Sequence, residues 1–342
     1  MKKVEIRQDS RGQMVPKPSK AFSAVSQRRV WIQMGLGNGT QVVEFILLGF
    51  SYPAHIKILL FALLLIVYLV TLIANGLFIL ATLGESGLHS PMYFFLCNLS
   101  VLDLCYSSVS GPTVLGGLLI RSSTITFYGC VTQMYIALSL GQTECFLLAV
   151  MAWDRYVAVC NPLRYQQILS GSVCIRVATT TWAAGFLISV TALSIVPVLR
   201  FCGHNIVDHL VCELQALSRL PCMSSHFSNS STPFFALLTL VVPLCLIFFT
   251  YVCIIAAILR IPTAESRHRT FATCGSHLLV VVLFYGTAMG IYLRPTLTAP
   301  SDKDKLTSLF YGLVVPALNP LIYTLRNKDV TVALKKLYRS ST

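Results

Sequence analysis

Long stretches of this chain run without a charged side chain, and their length carries more information than any alternation within them. Residues 58–84 contain no Lys, Arg, Asp or Glu. The run 91–119 is broken only by Asp103, and the run that follows Ser122 and reaches Trp153 is broken only by Glu144. Runs at 177–199, 232–259, 270–293 and 306–325 bring the total to seven. A helix of about 20 apolar residues spans the roughly 30 Å hydrocarbon layer, so each run is long enough to cross at the usual tilt. No water is available in that layer to satisfy a backbone amide, and each crossing segment is therefore expected to be helical. Pro112, Pro197, Pro243, Pro316 and Pro320 fall within the runs and are expected to kink helices packed against neighbours. No internal repeat is visible. The expected fold is an all-α membrane protein, a bundle of seven transmembrane helices.

Composition agrees with this pattern. Hydrophobic residues make up 55% of the 342 and charged residues 11%, with a mean hydropathy of +0.72. A soluble domain carries about 25% charged residues, so the surplus apolar surface has to meet lipid. The net charge of +13 would suggest nucleic acid in a soluble protein, but the basic residues lie in the tails and between the apolar runs, as membrane flanks do.

Charge also orients the bundle. With the N-terminus outside, the cytoplasmic segments are 85–90, 154–176, 260–269 and the tail from Arg326, and they hold eleven Lys/Arg against seven outside after residue 33. That balance favours the N-terminus outside and the C-terminus in the cytoplasm. Residues 1–33 add eight basic residues on the wrong side and lack the apolar core of a signal peptide. They read as an alternative-start or disordered leader, with Met34 beginning a conventional short tail. The expected organisation is an extracellular tail at 1–56, a seven-helix domain at 57–326 and a short cytoplasmic tail at 327–342, expected to form an amphipathic helix.

Several motifs sit at fixed places on these helices. The third run ends in MAWDRYVAVCNPLRY (151–165), with the Asp154–Arg155–Tyr156 triplet at the cytoplasmic border. Such a pair can simply anchor helix depth; read functionally, Asp154 holds Arg155 at rest and releases it to a G protein. LHSPMYFFL (88–96) opens the second helix, Thr250-Tyr251 lies at the inner end of the fifth, RTFATCGSHL (269–278) opens the sixth, and PALNPLIYTLRN (316–327) closes the seventh.

Taken together, these segments resemble the signatures of odorant receptors, a branch of the rhodopsin-like G-protein-coupled receptors. The family writes the third-helix motif MAYDRYVAIC-PL-Y and the sixth-helix motif KAFSTC–SHL. Trp153, Thr250 and Arg269 depart from its pattern but keep aromatic, hydroxyl or basic character. The resemblance covers 42 to about 338, with the motifs in order and at the right spacing. It also accounts for Phe284-Tyr285-Gly286 where the wider class has Trp-x-Pro.

The resemblance implies a receptor in the ciliary membrane of olfactory neurons that binds a small neutral volatile, activates a stimulatory, olfactory-type G protein and raises cyclic AMP. No enzyme chemistry is expected. The ligand would lie between the outer halves of helices 3, 5, 6 and 7, against Leu138, Gly141, Gln142, Phe235, Thr239, Tyr285, Ala288, Met289 and Tyr292. Plain helix packing is the alternative role for each. Coupling would fall to Asp154, Arg155, Tyr156, Tyr251, Asn319, Pro320 and Tyr323. Retinal chemistry is excluded because helix 7 shows no interior Lys, and an amine ligand is disfavoured because residues 130–142 contain no carboxylate. The rivals are a rhodopsin-like receptor for a lipid or peptide, and a transporter, which would need a polar through-path and usually internal repeats.

Two carboxylates, Asp103 and Glu144, fall deep within apolar runs, where ionisable groups are costly and usually functional. In the resembled receptors the helix 2 Asp joins Asn75 and Asn319 around a sodium ion, and Glu144 matches the additional helix 3 acid of odorant receptors. Two such groups either share a proton or hold a cation. A structural sodium ion is the one cofactor expected. The bland reading is a protonated, hydrogen-bonded pair.

Most of the twelve cysteines lie in apolar runs as small hydrophobes. Cys130, Cys202, Cys212 and Cys222 face an oxidising compartment, and the residues alone leave three pairings open. The family pattern implies Cys130–Cys212 and Cys202–Cys222. A metal site at His209, Cys212 and Glu213 is disfavoured, since a disulfide sulfur is no thiolate ligand. Of three Asn-x-Ser/Thr sites, Asn38 is the credible glycosylation site; Asn98 falls inside helix 2 and Asn229 close to the membrane.

Overall fold

A computed structural model describes residues 6–8, 14–16, 42–120, 122–193, 205–217, 237–292, 302–326 and 328–341. The long helices are α1 (Ala54–Gly84), α2 (Pro91–Leu119), α3 (Phe127–Cys160), α4 (Gly171–Leu193), α5 (Val242–Leu259, entered through a π turn at Leu237–Val241) and α6 (Ala264–Tyr292). The seventh, α7, joins Asp302–Leu309 through a π turn at Phe310–Val314 to Val315–Arg326. Among the described residues, seven helices are long and apolar enough to cross a membrane. A shorter helix, α8, covers Lys328–Ser341.

The second run and α2 share the same limits, because Pro91 sits in the first turn, where its missing N–H costs nothing. Elsewhere the helices overrun the apolar stretches. The third run was bounded at Trp153 but α3 continues to Cys160, and α6 starts at Ala264, before the expected 270. Charge marks where lipid ends, whereas a helix stops where its backbone bonds stop.

α3 is the most enclosed of the seven and α1 the least. The largest cluster surrounds α3, with Leu147, Leu148 and Ala152 packed against Phe95, Leu99, Ile254 and Phe284. Helices α3 and α4 approach closely at Gly185. A side chain there would fall on Thr143 Oγ1 and within 2.9 Å of Ser139 O. Hydroxyls buried in the bundle bond back to their own helix, as Thr71, Thr82, Ser139 and Thr143 do to the carbonyl four residues earlier. That satisfies them without water. Asn98, the candidate glycosylation site excluded by its helix, accepts from Trp182 Nε1 of α4 at 3.2 Å.

Pro320 lacks the N–H that would bond the carbonyl four residues back, at Pro316. Asn75 of α1 fills that vacancy, donating from Nδ2 to Pro316 O at 3.1 Å. The proline thereby fastens α7 to α1.

In the separate unit Met1–Gln41, β1 (Ile6–Gln8) and β2 (Met14–Pro16) form an antiparallel pair. The end of the bundle carrying Cys130 holds strands that apolar runs could not announce: β3 (Glu44–Leu48) runs between antiparallel β4 (Ser122–Thr126) and parallel β5 (Ile206–Val207). Phe45 and Leu47 alternate inward and pack on Cys130, Met134, Val207 and Cys212, while Glu44 faces out.

Two basic residues expected as flanks are tied into the structure. Lys305, counted above as a membrane flank, is only 3% exposed. Its Nζ lies 2.5 Å from Asp208 Oδ1 and 3.3 Å from Gly49 O, so α7, the loop after β5 and the segment after β3 are clasped together. Lys336 of α8 lies 3.0 Å from Glu85, while Val330 and Ala333 on the same helix are buried against the bundle. α8 thus packs Val330 and Ala333 on the bundle while Lys336 reaches Glu85.

Candidate functional site

At the Arg155 end, Asp154 is 1% exposed and its Oδ2 lies 2.8 Å from the Arg155 guanidinium. Tyr165, in the turn after α3, donates to the other carboxylate oxygen at 2.6 Å. Burial, reinforced by the neighbouring carboxylate, pushes the Tyr165 phenol well above its usual range, so it remains a donor. Arg155 is thus paired with Asp154. Tyr156 is half-buried and packs at the edge of the core.

The partner of Tyr251 was not foreseen. Its hydroxyl lies 2.8 Å from His277 Nδ1 and 3.0 Å from Cys274 O, and its ring stacks on the imidazole. On the far side, His277 Nε2 lies 3.2 Å from Leu148 O of α3. Since a carbonyl can only accept, Nε2 bears a proton toward Leu148 O, and the Tyr251 hydroxyl, which donates to Cys274 O, lies against Nδ1. One imidazole thus ties α3, α5 and α6 at this end. Its only sequence signal was a lone His inside an otherwise uncharged run, within the motif 269–278.

In the bundle centre three of the four residues grouped from sequence come together, and the fourth, Asn75, bonds Pro316 O, three residues before Asn319. Asn319 Nδ2 donates to both oxygens of Asp103 at 3.1 Å, and Glu144 is near enough to act on the Asp103 charge. Asn75, Asp103, Glu144 and Asn319 are at most 3% exposed. Asn75 Oδ1, Glu144 Oε1 and Asn319 Oδ1 are buried without hydrogen-bond partners. Hard oxygens left unsatisfied beside a carboxylate suit a small hard cation, so the residues present fit sodium. Among the described residues there is no cluster of three or more His, Cys, Asp or Glu that could hold a metal. The Tyr323 hydroxyl is likewise buried without a partner, one turn beyond Asn319.

At the opposite end, Cys130 and Cys212 form a disulfide with Cα atoms 5.4 Å apart. Cys202, Cys222, Asn38 and Asn229 lie outside the described residues. The described residues among the nine expected ligand walls have individual partners. Gln142 accepts from Ser189 of α4 at 3.1 Å, Tyr285 donates to Cys145 O at 3.0 Å, and Thr239 and Ala288 are buried. Met289 is half-buried. Gly141 meets the Tyr311 hydroxyl, which would lie 2.8 Å from an added Cβ. Phe235 and the Tyr292 side chain lie outside the described residues. Leu138 instead lines a chamber between α2, α3, α7 and the 205–217 loop, with Tyr106, Gln133, His209, Glu213 and Tyr311.

The family model for olfactory receptors matches residues 64–340. This chain belongs to the olfactory receptor family. Human olfactory receptor 2K2 is 47% identical over 293 residues, 86% of this chain and 92% of that protein. Human olfactory receptor 2G3 is 45% identical over 304 residues, 89% of this chain and 98% of that protein. Human olfactory receptor 13D1 is 44% identical over 300 residues, 88% of this chain and 87% of that protein. Olfactory receptors are G-protein-coupled receptors that detect odorants from within a membrane, and they are not enzymes.

Proposed function

We propose that this olfactory receptor binds a small, neutral volatile in the outer half of its bundle and activates a stimulatory, olfactory-type G protein, raising cyclic AMP in the cilia of olfactory neurons. The N-terminus would be extracellular, carrying a glycan on Asn38 and a second disulfide between Cys202 and Cys222, and the Arg155 end would face the cytoplasm. The observation that carries the reading is the closed state of that end. Arg155 is occupied by Asp154 at 2.8 Å, and Tyr251 by His277 at 2.8 Å.

Both partners are borrowed. A ligand that parts α5 and α6 from α3 frees the Tyr251 hydroxyl, and Arg155 can then exchange Asp154 for the G protein. Ligand and G protein bind opposite ends, so each can favour the open state only through differential affinity for it. The ligand would contact Leu138, Gly141, Gln142, Phe235, Thr239, Tyr285, Ala288, Met289 and Tyr292, with Gln142, Thr239, Tyr285 and Tyr292 offering directional hydrogen bonds.

A sodium ion held by Asp103, Glu144, Asn75 and Asn319 would supply the positive charge that lets two buried carboxylates remain ionised. The three unpartnered oxygens support that assignment. Asn75 would serve twice, since its amide nitrogen already bonds Pro316 O.

The test is a cyclic AMP reporter in cells displaying the full chain, screened against a diverse volatile panel. A dose-dependent rise that disappears in Arg155→Ala supports the reading. Surface-displayed receptor that answers a lipid or peptide at nanomolar concentration, and no volatile, refutes it.

A further inference from the structure

The chamber at the disulfide end is small, about 40 Å³, with room for about three waters. A volatile of more than a few heavy atoms has to enlarge it, and the structure shows where it can give. The loop side is tied down: Gln133 Oε1 accepts from Cys212 N, and the Lys305 ammonium is held by Asp208 and Gly49 O. On the inner side the lining includes Ala137 and Leu138 of α3 and Tyr311 of α7. Gly141, one turn further along that face of α3, does not line it. The Tyr311 hydroxyl stands over Gly141, 2.8 Å from where a Cβ would lie. Apart from the backbone of α3 itself, no other heavy atom of the described residues comes within 4 Å of that point. The glycine leaves a notch in α3, and the hydroxyl sits in it. The Tyr311 ring is wedged between two others. Its centroid lies 5.4 Å from that of Tyr106 on α2, edge to face, and 5.4 Å from that of Phe284 on α6. Phe284 is fully buried and packs on Tyr285 at 5.2 Å, and Tyr285 donates to Cys145 O of α3.

We infer that Tyr311 is a positioning residue for activation, and that a ligand reaching Gly141 acts by lifting the Tyr311 hydroxyl out of the notch. The inference rests on the reading above, in which a ligand in the outer half of the bundle opens the G-protein end, and it names the first side chain to move. With Tyr106 on one side, a displaced Tyr311 ring is driven onto Phe284. Phe284 has no free space around it, and a close-packed interior transmits such a push rather than absorbing it, so α6 shifts with the ring. The load falls on the bond from Tyr285 to Cys145 O, which ties this part of α6 to α3. Gly141 therefore has a role beyond that of a ligand wall. It keeps Tyr311 seated until a ligand arrives. Helix formation does not call for a glycine there, since alanine is the better helix former.

The experiment uses the purified full chain in lipid nanodiscs with a stimulatory G protein and no ligand, following melting temperature and nucleotide exchange. In Gly141→Ala the added methyl should do what a ligand does. It should lower the melting temperature and raise basal exchange severalfold over the unaltered chain. Tyr311→Phe removes the atom that the methyl meets while keeping the ring. Gly141→Ala combined with Tyr311→Phe should therefore return both readouts to the level of Tyr311→Phe alone. Gly116→Ala, on α2 where a Cβ meets nothing within 4 Å, is the control and should leave exchange unchanged and the melting temperature undiminished. A fall in melting temperature with unchanged exchange in Gly141→Ala would mean packing alone, and it overturns the inference. So does a combined variant no better than Gly141→Ala, or an equal rise in exchange from Gly116→Ala. Exchange that rises with a volatile found in the cyclic AMP screen, but not with Gly141→Ala, overturns the inference and leaves the proposed function standing. Exchange at the receptor-free level in every variant, with no volatile active in the screen, refutes both.

Discussion

Tyr251 and His277 lie ring against ring, with centroids 5.8 Å apart and planes 2° from parallel, and a 2.8 Å hydrogen bond joins hydroxyl to imidazole. Because His277 also bonds Leu148 O, the stack is a cross-tie between three helices. Breaking it should loosen the closed state. His277→Ala should raise basal nucleotide exchange on the G protein, and Tyr251→Phe should raise it less, since the stacked ring survives. Each should cost about 1–3 kcal/mol of stability for a buried group left unpaired. Basal exchange unchanged in His277→Ala, with normal surface staining, would show that the tie does not restrain the receptor.

Arg155→Ala should abolish signalling while surface delivery persists. Arg155 pairs with Asp154 near the end of α3, so its loss removes one ion pair and leaves the apolar contacts of α3 in place. Undiminished cyclic AMP in that variant refutes the role. Tyr165→Phe tests the same contact from the other side. Removing its 2.6 Å bond leaves Asp154 held by Arg155 alone and should raise basal activity.

Cys130→Ser and Cys212→Ser should each block surface expression, and the double variant should be no worse than either. One bond lost twice is one lesion, whereas independent lesions add. The disulfide also anchors the segment that carries Phe45 and Leu47 contacts, so its loss uncovers that cluster. Normal trafficking of either single variant contradicts this.

Gly185→Val should destabilise by about 1–3 kcal/mol or more, because the added atoms meet helix backbone that has no room to move. Ser139 O and Thr143 N both lie 2.9 Å from the position of a Cβ. A melting temperature in detergent equal to that of the unaltered chain would show that α3 and α4 can part at this point without cost.

Replacing sodium with a large organic cation should change basal activity or melting temperature, and Asp103→Asn and Glu144→Gln should each erase that dependence. The basis is the buried Asp103 carboxylate together with the buried oxygens of Asn75, Glu144 and Asn319 that lack partners. Sodium sensitivity that is absent from the unaltered chain, or retained in both variants, defeats the cation site and leaves a proton-sharing pair.

Much of this was legible along the chain. The seven crossings follow from local composition, because transfer of about 20 residues into lipid depends on what those residues are and little on what they touch. Asp103, Glu144, Asn75 and Asn319 could be grouped from motif and depth, and the structure brings Asp103 and Asn319 to 3.1 Å. The Cys130–Cys212 pairing was open from the residues, supplied by resemblance, and is present. What pattern alone could not give were contacts whose partners are remote in sequence. β3 is a strand because Ser122–Thr126 and Ile206–Val207 lie beside it, and five residues of tail carry no such information by themselves. Lys305 looks like any lysine at a membrane border. It is buried because Asp208, 97 residues away, arrives to neutralise it. His277 looks like a stray polar residue, and Glu213 like a loop acid, until packing sets a tyrosine against one and a chamber beside the other. The sequence by itself determined how many helices cross and which residues are too polar to be there without purpose. The tertiary structure decided their partners, because a hydrogen bond or ion pair forms over a few ångströms of space and is indifferent to the length of chain between its ends.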